Sequence, residues 1–185
     1  MKNLKVVFFG TPDFAKESLA AIHQSNHQVV GVVTVADKPS GRGQKLTESP
    51  VKKYAVENNL TVFQPEKLRN PEFLEQIRNL DADVFVVVAF RMMPKILFEM
   101  PKIGTFNLHA SLLPDYRGAA PINFAIINGE EKTGATTFFI NEKIDEGNIL
   151  LQEELPISPD ENAGSLHDRL MEMGAKLVAQ EDTVN

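Results

Sequence analysis

Three polar residues form a group that is suited to acyl transfer. Asn107 and His109 lie two positions apart, and Asp145 follows farther along the chain. A neutral amide can donate a hydrogen bond to a developing oxyanion, an imidazole can move a proton, and a carboxylate can orient the imidazole. Together they can handle the tetrahedral intermediate of an acyl transfer without a covalent nucleophile. In a strand, Asn107 and His109 would share one face while Leu108 points into apolar packing.

Apolar runs and amphipathic segments predict the elements that position these side chains. Five short runs predict strands at residues 4–9, 29–35, 61–63, 84–89 and 104–109. The sequence predicts helices from Phe14 to His23, from Asn70 to Leu80 with Pro71 in the first turn, and from Ala163 to Val178. This alternation predicts a three-layer α/β domain with a mostly parallel sheet. Ligands bind at the carboxyl ends of such strands, which is where the fifth run places Asn107 and His109.

Two later segments complete the predicted architecture. Residues 136–140 and 148–155 flank Asp145 and are expected to add antiparallel strands to the sheet. The stretch from Asp37 to Ser49 is rich in Lys, Gly, Ser and Pro, so we expect one long irregular loop that binds a ligand or moves. No boundary divides the 185 residues, and we expect one domain.

Composition excludes several classes of protein. The chain has no cysteine and only four scattered histidines, which excludes a thiol nucleophile and leads us to expect no metal site. No apolar run approaches the roughly 20 residues of a membrane span, and no signal-peptide pattern follows Met1, so we expect a cytoplasmic protein without membrane contact. A net charge of −6 is unfavourable for a broad nucleic-acid surface, so any RNA contact must be local.

Other interpretations of the polar residues are structural. An Asn and a His at a strand end commonly satisfy neighbouring backbone groups, and spacing alone favours that interpretation. Ser111 lacks a Gly-x-Ser-x-Gly elbow, so we expect it to make a turn hydrogen bond. His23, His27 and His167 are expected to be surface or local structural residues. Gly10-Thr11-Pro12 does not match a dinucleotide fingerprint and instead indicates a close approach of the backbone to a substrate.

The string Asn107-Leu108-His109-Ala110-Ser111-Leu112-Leu113-Pro114, with Asp145-Glu146-Gly147, resembles the folate-dependent formyltransferases that use 10-formyltetrahydrofolate. Three further segments are similar to the members that formylate methionyl-tRNA: Phe9 to Ala15, Asp37 to Leu46, and Tyr116 to Pro121. The resemblance covers nearly the whole chain. It implies a Rossmann-like formyltransferase fold and a catalytic domain over residues 1–185, without the C-terminal tRNA-binding domain of those members.

The resemblance also implies a reaction and a set of site residues. The methionyl α-amine of charged initiator tRNA would attack the formyl carbon of 10-formyltetrahydrofolate, which serves as co-substrate. Asn107, His109 and Asp145 would be catalytic. Folate would lie against two loops, formed by Phe90, Arg91 and Met92 and by Ser111, Leu112, Leu113 and Pro114.

The loop with Phe90, Arg91 and Met92 is shorter than in many family members.

Arg42 and Lys45 would contact the end of the tRNA acceptor stem, and no obligate protein partner is expected. Three alternatives stay open: formylation of a sugar nucleotide or of glycinamide ribonucleotide, hydrolysis of the formyl-folate, and a non-catalytic folate-binding module. The basic loop favours tRNA over the small acceptors.

Overall fold

The computed structural model describes residues 3–43, 45–113, 115–140 and 149–184. Its strands are β1 (Lys5–Gly10), β2 (Gln28–Val33), β3 (Lys38–Ser40), β4 (Lys45–Thr47), β5 (Val62–Phe63), β6 (Val84–Val88), β7 (Gly104–His109), β8 (Lys132–Phe139) and β9 (Ile149–Pro156). Its helices are α1 (Asp13–His23), α2 (Pro50–Glu57), α3 (Pro71–Asn79), α4 (Lys95–Phe98), α5 (Pro121–Ile127) and α6 (Ala163–Val184).

Seven of the strands form one sheet in the order β5-β2-β1-β6-β7-β8-β9. The first five of these are mutually parallel, whereas β8 pairs antiparallel with β7 and β9 pairs antiparallel with β8. The predicted mostly parallel sheet and its antiparallel addition are therefore confirmed. The chain winds outward from β1 through β2 to β5, then returns to the other side of β1 with β6 and β7. The junction between β1 and β6 is thus the topological switch point, where open α/β sheets place ligands.

Each face of the sheet carries its own apolar core, which confirms the predicted three layers. One core contains Val6 and Phe8 of β1 together with side chains of α1, α2 and α6. The other contains Val7 and Phe9 of β1 together with side chains of α3 and α4. Every residue of β6 is buried, as its uninterrupted Val84–Val88 run predicts for a strand covered on both faces.

The helix signals of the sequence hold in the structure. The Asn70 side chain accepts hydrogen bonds from the N–H groups of Glu72 and Phe73, and Pro71 occupies the first turn of α3. Helix α6 begins at Ala163 as predicted but continues beyond Val178 to Val184. In the described part of the chain, no helix is long and apolar enough to cross a membrane.

Several predicted boundaries are wrong. The segment 37–49 is not wholly irregular, because β3 and β4 pair antiparallel within it. Strand β2 ends at Val33, two residues early. Strand β6 ends at Val88 because Ala89 takes a left-handed conformation with φ of 50°, which breaks the extended path. The short helices α2, α4 and α5 were not predicted.

Candidate active site

The candidate site lies at the carboxyl edge of the parallel strands. Gly10, Val88 and His109 are the last residues of β1, β6 and β7, and the three strands run side by side in the same direction. A Cβ added to Gly10 would lie 2.7 Å from the carbonyl oxygen of Val88, so only glycine allows this close approach of β1 to β6. Asn107 is in register with Val87 of β6, next to this edge.

The side chains of strand β7 alternate between the two faces of the sheet, as the spacing predicts. Phe106 and Leu108 are buried in the core shared with α1 and α6. Because successive side chains of a strand alternate between its faces, Asn107 and His109 share the opposite face. The prediction that the amide and the imidazole project together is consistent with this packing.

The Asn107 side chain is partly buried at this edge of the sheet. Its Oδ1 atom is buried and has no hydrogen-bond partner among the described residues. A buried acceptor without a donor typically costs about 1–3 kcal/mol, so native proteins keep few of them. The interpretation that Asn107 merely satisfies nearby backbone groups does not account for this oxygen.

His109 is buried and oriented by the loop that follows β7. Its Nε2 atom lies 2.8 Å from the carbonyl oxygen of Tyr116, and His109 is 8% exposed. A carbonyl oxygen can only accept a hydrogen bond, so Nε2 carries a proton. The neutral ring is therefore the Nε2–H tautomer, in which Nδ1 is the basic nitrogen.

The turn after His109 is held by a hydroxyl that the sequence analysis missed. Thr136 Oγ1 of β8 donates to the Ser111 carbonyl at 2.7 Å and accepts from the Leu113 N–H at 3.1 Å. The Gln152 amide of β9 donates to both Thr136 Oγ1 and the Leu113 carbonyl. Thr136 is fully buried and pairs with His109 in the sheet register. It thus fixes the turn that contains the predicted folate-contacting residues.

Ser111 makes the predicted turn hydrogen bond, since its hydroxyl donates to the Asp115 carbonyl at 2.7 Å. Ser111 and Leu113 are buried, whereas Leu112 is partly exposed and packs over Gly134 of β8. In this turn, Leu112 is consequently the side chain that remains accessible from outside. Pro114 lies outside the described residues.

The loop after β6 adjoins this turn because β6 and β7 are neighbours. Phe90 is half-buried and packs edge-on against Phe9. Arg91 lies over the Phe90 ring and donates to the carbonyl oxygens of Pro65 and Glu66 at 2.6 and 2.9 Å. Burial lowers the pKa of the Arg91 guanidinium. Arg91 therefore braces the loop against the segment after β5, and its guanidinium is already engaged.

Met92 is 73% exposed, while the neighbouring Met93 is buried. All three residues predicted in the 90–92 loop keep accessible surface, but the Arg91 guanidinium is already hydrogen-bonded, so Phe90 and Met92 are the ones that offer apolar surface to a ligand. The structure brings this loop and the 111–113 turn to the same edge of the sheet.

The basic segment emerges from that edge as the β3–β4 hairpin. Arg42 and Lys45 are exposed, and the turn between the strands uses Gly41 and Gly43 at φ of 70° and 89°. Glycine adopts these left-handed angles without steric cost. The base of the hairpin adjoins β1, since the Val51 N–H donates to the Thr11 carbonyl.

A polar clasp fixes the two ends of the hairpin segment. The Lys52 ammonium lies 2.6 Å from Asp37 and 3.3 Å from Glu48, and the Gln64 amide donates to Asp37 at 2.7 Å. The hydrogen bond from Lys52 holds the pKa of Asp37 below its usual range, and the same contact raises the pKa of Lys52. Thr34 and Ser49 add a buried hydroxyl pair at 2.7 Å.

Two predictions about the site lack a structural answer. Asp145 lies outside the described residues, and so does its predicted pairing with His109. Among the residues that the structure describes, no group of three or more His, Cys, Asp or Glu side chains could hold a metal ion. Thr136 and Gln152 escaped the sequence analysis because their partners in the 111–113 turn are distant in sequence. A clue was available in the adjacent hydroxyl side chains of Thr136 and Thr137 on a predicted strand.

The fold is an α/β domain like that of formyltransferases of known structure. The crystal structure of a phosphoribosylglycinamide formyltransferase from Bacillus halodurans superposes with a TM-score of 0.80 at 22% identity, covering 97% of this chain and 94% of that one. A sugar 3N-formyl transferase, solved with dTDP and 5-N-formyl-THF, matches with a TM-score of 0.68 at 26% identity, over 97% of this chain and 62% of that chain.

The chain belongs to the formyl transferase family, whose model matches residues 4–181. The methionyl-tRNA formyltransferase of Flavobacterium johnsoniae is 59% identical over 178 residues, which is 96% of this chain and 56% of that protein. The chain thus spans little more than half the length of this curated relative.

Proposed function

We propose that this chain is the catalytic domain of an enzyme that transfers a formyl group from 10-formyltetrahydrofolate to the α-amine of methionyl-tRNA in the cytoplasm. The observation that carries the proposal is the placement of Asn107 on the same face of β7 as His109, at the carboxyl edge of the sheet, with an amide oxygen that is buried and has no hydrogen-bond partner among the described residues. Family membership and the 59% identity to a methionyl-tRNA formyltransferase support the choice of reaction.

In this mechanism, Asn107 stabilises the tetrahedral intermediate. The attacking amine adds to the formyl carbon, and the negative charge that develops on the formyl oxygen accepts a hydrogen bond from the Asn107 amide N–H. One such preorganised donor contributes a rate factor of about 10²–10³. The amine of an aminoacyl ester is partly neutral near pH 7, because α-amino groups have pKa values of roughly 7.7–8.0. The site therefore needs no strong base.

His109 assists the proton traffic of the same step. The C–N bond to the tRNA amine forms, the amine loses one proton, and the folate nitrogen gains one as its bond to the formyl carbon breaks. With Nε2 donating to Tyr116, the change of protonation falls on Nδ1. Asp145 is proposed as the carboxylate that stabilises the imidazolium form.

The folate donor is proposed to lie between the two loops at the carboxyl edge. Phe90, Met92 and Leu112 offer apolar surface for its flat ring, and backbone groups of the 111–113 turn can read the ring edge. Arg91 and Ser111 support these loops through the hydrogen bonds described above, instead of touching the ring.

The tRNA contact is proposed for the exposed hairpin tip. The net charge of −6 argues against a broad electrostatic surface, whereas Arg42 and Lys45 concentrate two cations beside the site. The polar clasp at Asp37 and Lys52 ties the two ends of the hairpin segment together.

A comparison of acceptors tests the proposed function. Purified chain and 10-formyltetrahydrofolate are incubated separately with charged initiator tRNA, glycinamide ribonucleotide, an amino-sugar nucleotide and water, and the formylated product is quantified. The proposal predicts the highest kcat/KM with charged tRNA. A higher kcat/KM with a small amine or with water would show that charged tRNA is not the acceptor. Binding of the donor without any turnover would indicate a non-catalytic folate-binding module.

A substitution of Arg42 tests the proposed tRNA contact of the hairpin. Arg42→Ala should lower kcat/KM for charged tRNA several-fold while leaving the Kd for the folate donor unchanged, because one phosphate-directed cation is lost. Arg78→Ala is the matched control, since Arg78 is exposed on α3 near the amino ends of the strands. Equal losses of tRNA and folate affinity in Arg42→Ala would contradict the assignment.

A further inference from the structure

The loop between β7 and α5 has an unusual backbone. Tyr116, Gly118 and Ala120 all have positive φ angles, of 55°, 90° and 55°. Bulky residues rarely adopt this left-handed conformation, and such strain clusters at functional sites where the surroundings enforce it. Tyr116 is the residue whose carbonyl oxygen accepts the hydrogen bond from His109 Nε2.

The side chain of Tyr116 is fixed at its far end. Its hydroxyl donates to Glu130 Oε1 at 2.7 Å and accepts from the Asn128 amide at 3.1 Å. The hydrogen bond to Glu130 raises the pKa of Tyr116, so the phenol keeps its proton throughout the neutral range.

The turn that holds the phenol is closed by backbone hydrogen bonds. The Asn128 N–H donates to the Phe124 carbonyl and the Glu130 N–H donates to the Ala125 carbonyl at the end of α5. Gly129 takes φ of 68° between them. The anchor for Tyr116 is therefore the hydrogen-bonded junction between α5 and β8.

We infer that Tyr116 is a positioning residue for His109: its phenol, held by Glu130 and Asn128, keeps the residue in its left-handed conformation and so aims its carbonyl oxygen at Nε2. This contact selects the Nε2–H form of the ring and sets its orientation beside Asn107. Only the predicted effect of Tyr116 on formyl transfer rests on the proposed function. Its effect on the His109 ring is independent of any substrate.

The first test is spectroscopic. In protein with ¹⁵N-labelled histidine, the Nε2–H proton of His109 should be observable and slow to exchange with solvent. Tyr116→Phe should speed that exchange about tenfold or more, because the carbonyl is no longer held. Tyr54→Phe is the matched control, since the Tyr54 hydroxyl contacts His23 Nδ1 at 2.9 Å instead. Unchanged His109 signals in Tyr116→Phe would overturn the inference.

The second test is kinetic. Tyr116→Phe should lower kcat roughly three- to tenfold, with the KM values for donor and acceptor unchanged, because the reacting groups are misaligned but binding surfaces persist. Glu130→Gln, which retains an acceptor oxygen, should keep most of the activity, whereas Glu130→Ala should match Tyr116→Phe. A change confined to KM, with kcat unchanged, would refute the positioning role. Equal effects of Glu130→Gln and Glu130→Ala would also refute it.

The two tests separate the inference from the proposed function. If the wild-type chain transfers no formyl group but Tyr116→Phe still alters the His109 signals, the positioning role holds and the reaction assignment fails. If transfer proceeds normally in Tyr116→Phe, the reaction assignment holds and the positioning role fails.

Discussion

Replacing Thr136 with valine removes one hydroxyl from β8 while leaving the shape of the side chain almost unchanged. That hydroxyl makes three hydrogen bonds, to the Ser111 carbonyl, the Leu113 N–H and the Gln152 amide, and the residue is fully buried. After the substitution, the Leu113 N–H and the Ser111 carbonyl lose these partners.

The expected loss of stability follows from these contacts. Each net hydrogen bond contributes about 0.5–1.5 kcal/mol, so three of them give a decrease of roughly 2–4 kcal/mol in the free energy of unfolding. For a domain of this size, 1 kcal/mol lowers Tm by about 2–4 °C, so Thr136→Val should melt roughly 5–15 °C earlier. Thermal unfolding followed by circular dichroism measures the difference.

Thr137→Val is the matched control on the same strand. Thr137 is equally buried, but among the described residues its hydroxyl contacts only the backbone of Leu151, at 3.0 and 3.4 Å. It should lose less stability and leave formyl transfer intact, whereas Thr136→Val should also slow transfer at temperatures where it is folded. Equal Tm values and equal activities for the two variants would refute the assigned role of Thr136.

Three further perturbations follow from the structure. Gly10→Ala should destabilise the fold by about 1–3 kcal/mol, because its Cβ would meet the Val88 carbonyl at 2.7 Å; urea unfolding measures this. Because the folded state lowers the pKa of Asp37, its carboxylate stabilises the fold above its unfolded pKa. This stabilisation is lost as pH falls through its folded pKa. Asp37→Asn should thus lower the urea midpoint at pH 7 but converge with wild type in acid. Arg91→Lys should raise the donor KM several-fold with kcat unchanged, because a single ammonium cannot replace the two-carbonyl contact; steady-state kinetics checks this.

The sequence predicted the central sheet because its strands are covered on both faces. Continuous apolar runs such as Val84–Val88 need no tertiary information to be recognised, and the cap at Asn70 is encoded locally. The shared face of Asn107 and His109 likewise follows from strand periodicity alone.

The missed elements depend on contacts that are distant in sequence. The three-residue strands β3 and β4 have too few positions for an apolar alternation, and their pairing relies on glycine turns and the Asp37–Lys52 clasp. Helix α2 carried a readable signal, because Ser49 caps it and Pro50 starts it. No pattern near His109 reveals Thr136, whose contacts with the 111–113 turn span 23 to 25 positions.

Ala89 and Tyr116 illustrate a second limit. Both adopt positive φ angles where neither residue type favours them, so local propensity predicts the wrong backbone at the ends of β6 and in the loop after β7. Such departures are expected where a site overrides local preference.

The most direct test of the account is single-turnover formyl transfer from 10-formyltetrahydrofolate to charged initiator tRNA, comparing wild type with Asn107→Ala. The account predicts a rate lower by about 10²–10³ in the variant, with the donor Kd unchanged, because the amide acts on the intermediate. Asn79→Ala, an exposed asparagine on α3, should match wild type. Transfer at the wild-type rate in Asn107→Ala, or a loss explained entirely by weaker donor binding, would contradict the central claim.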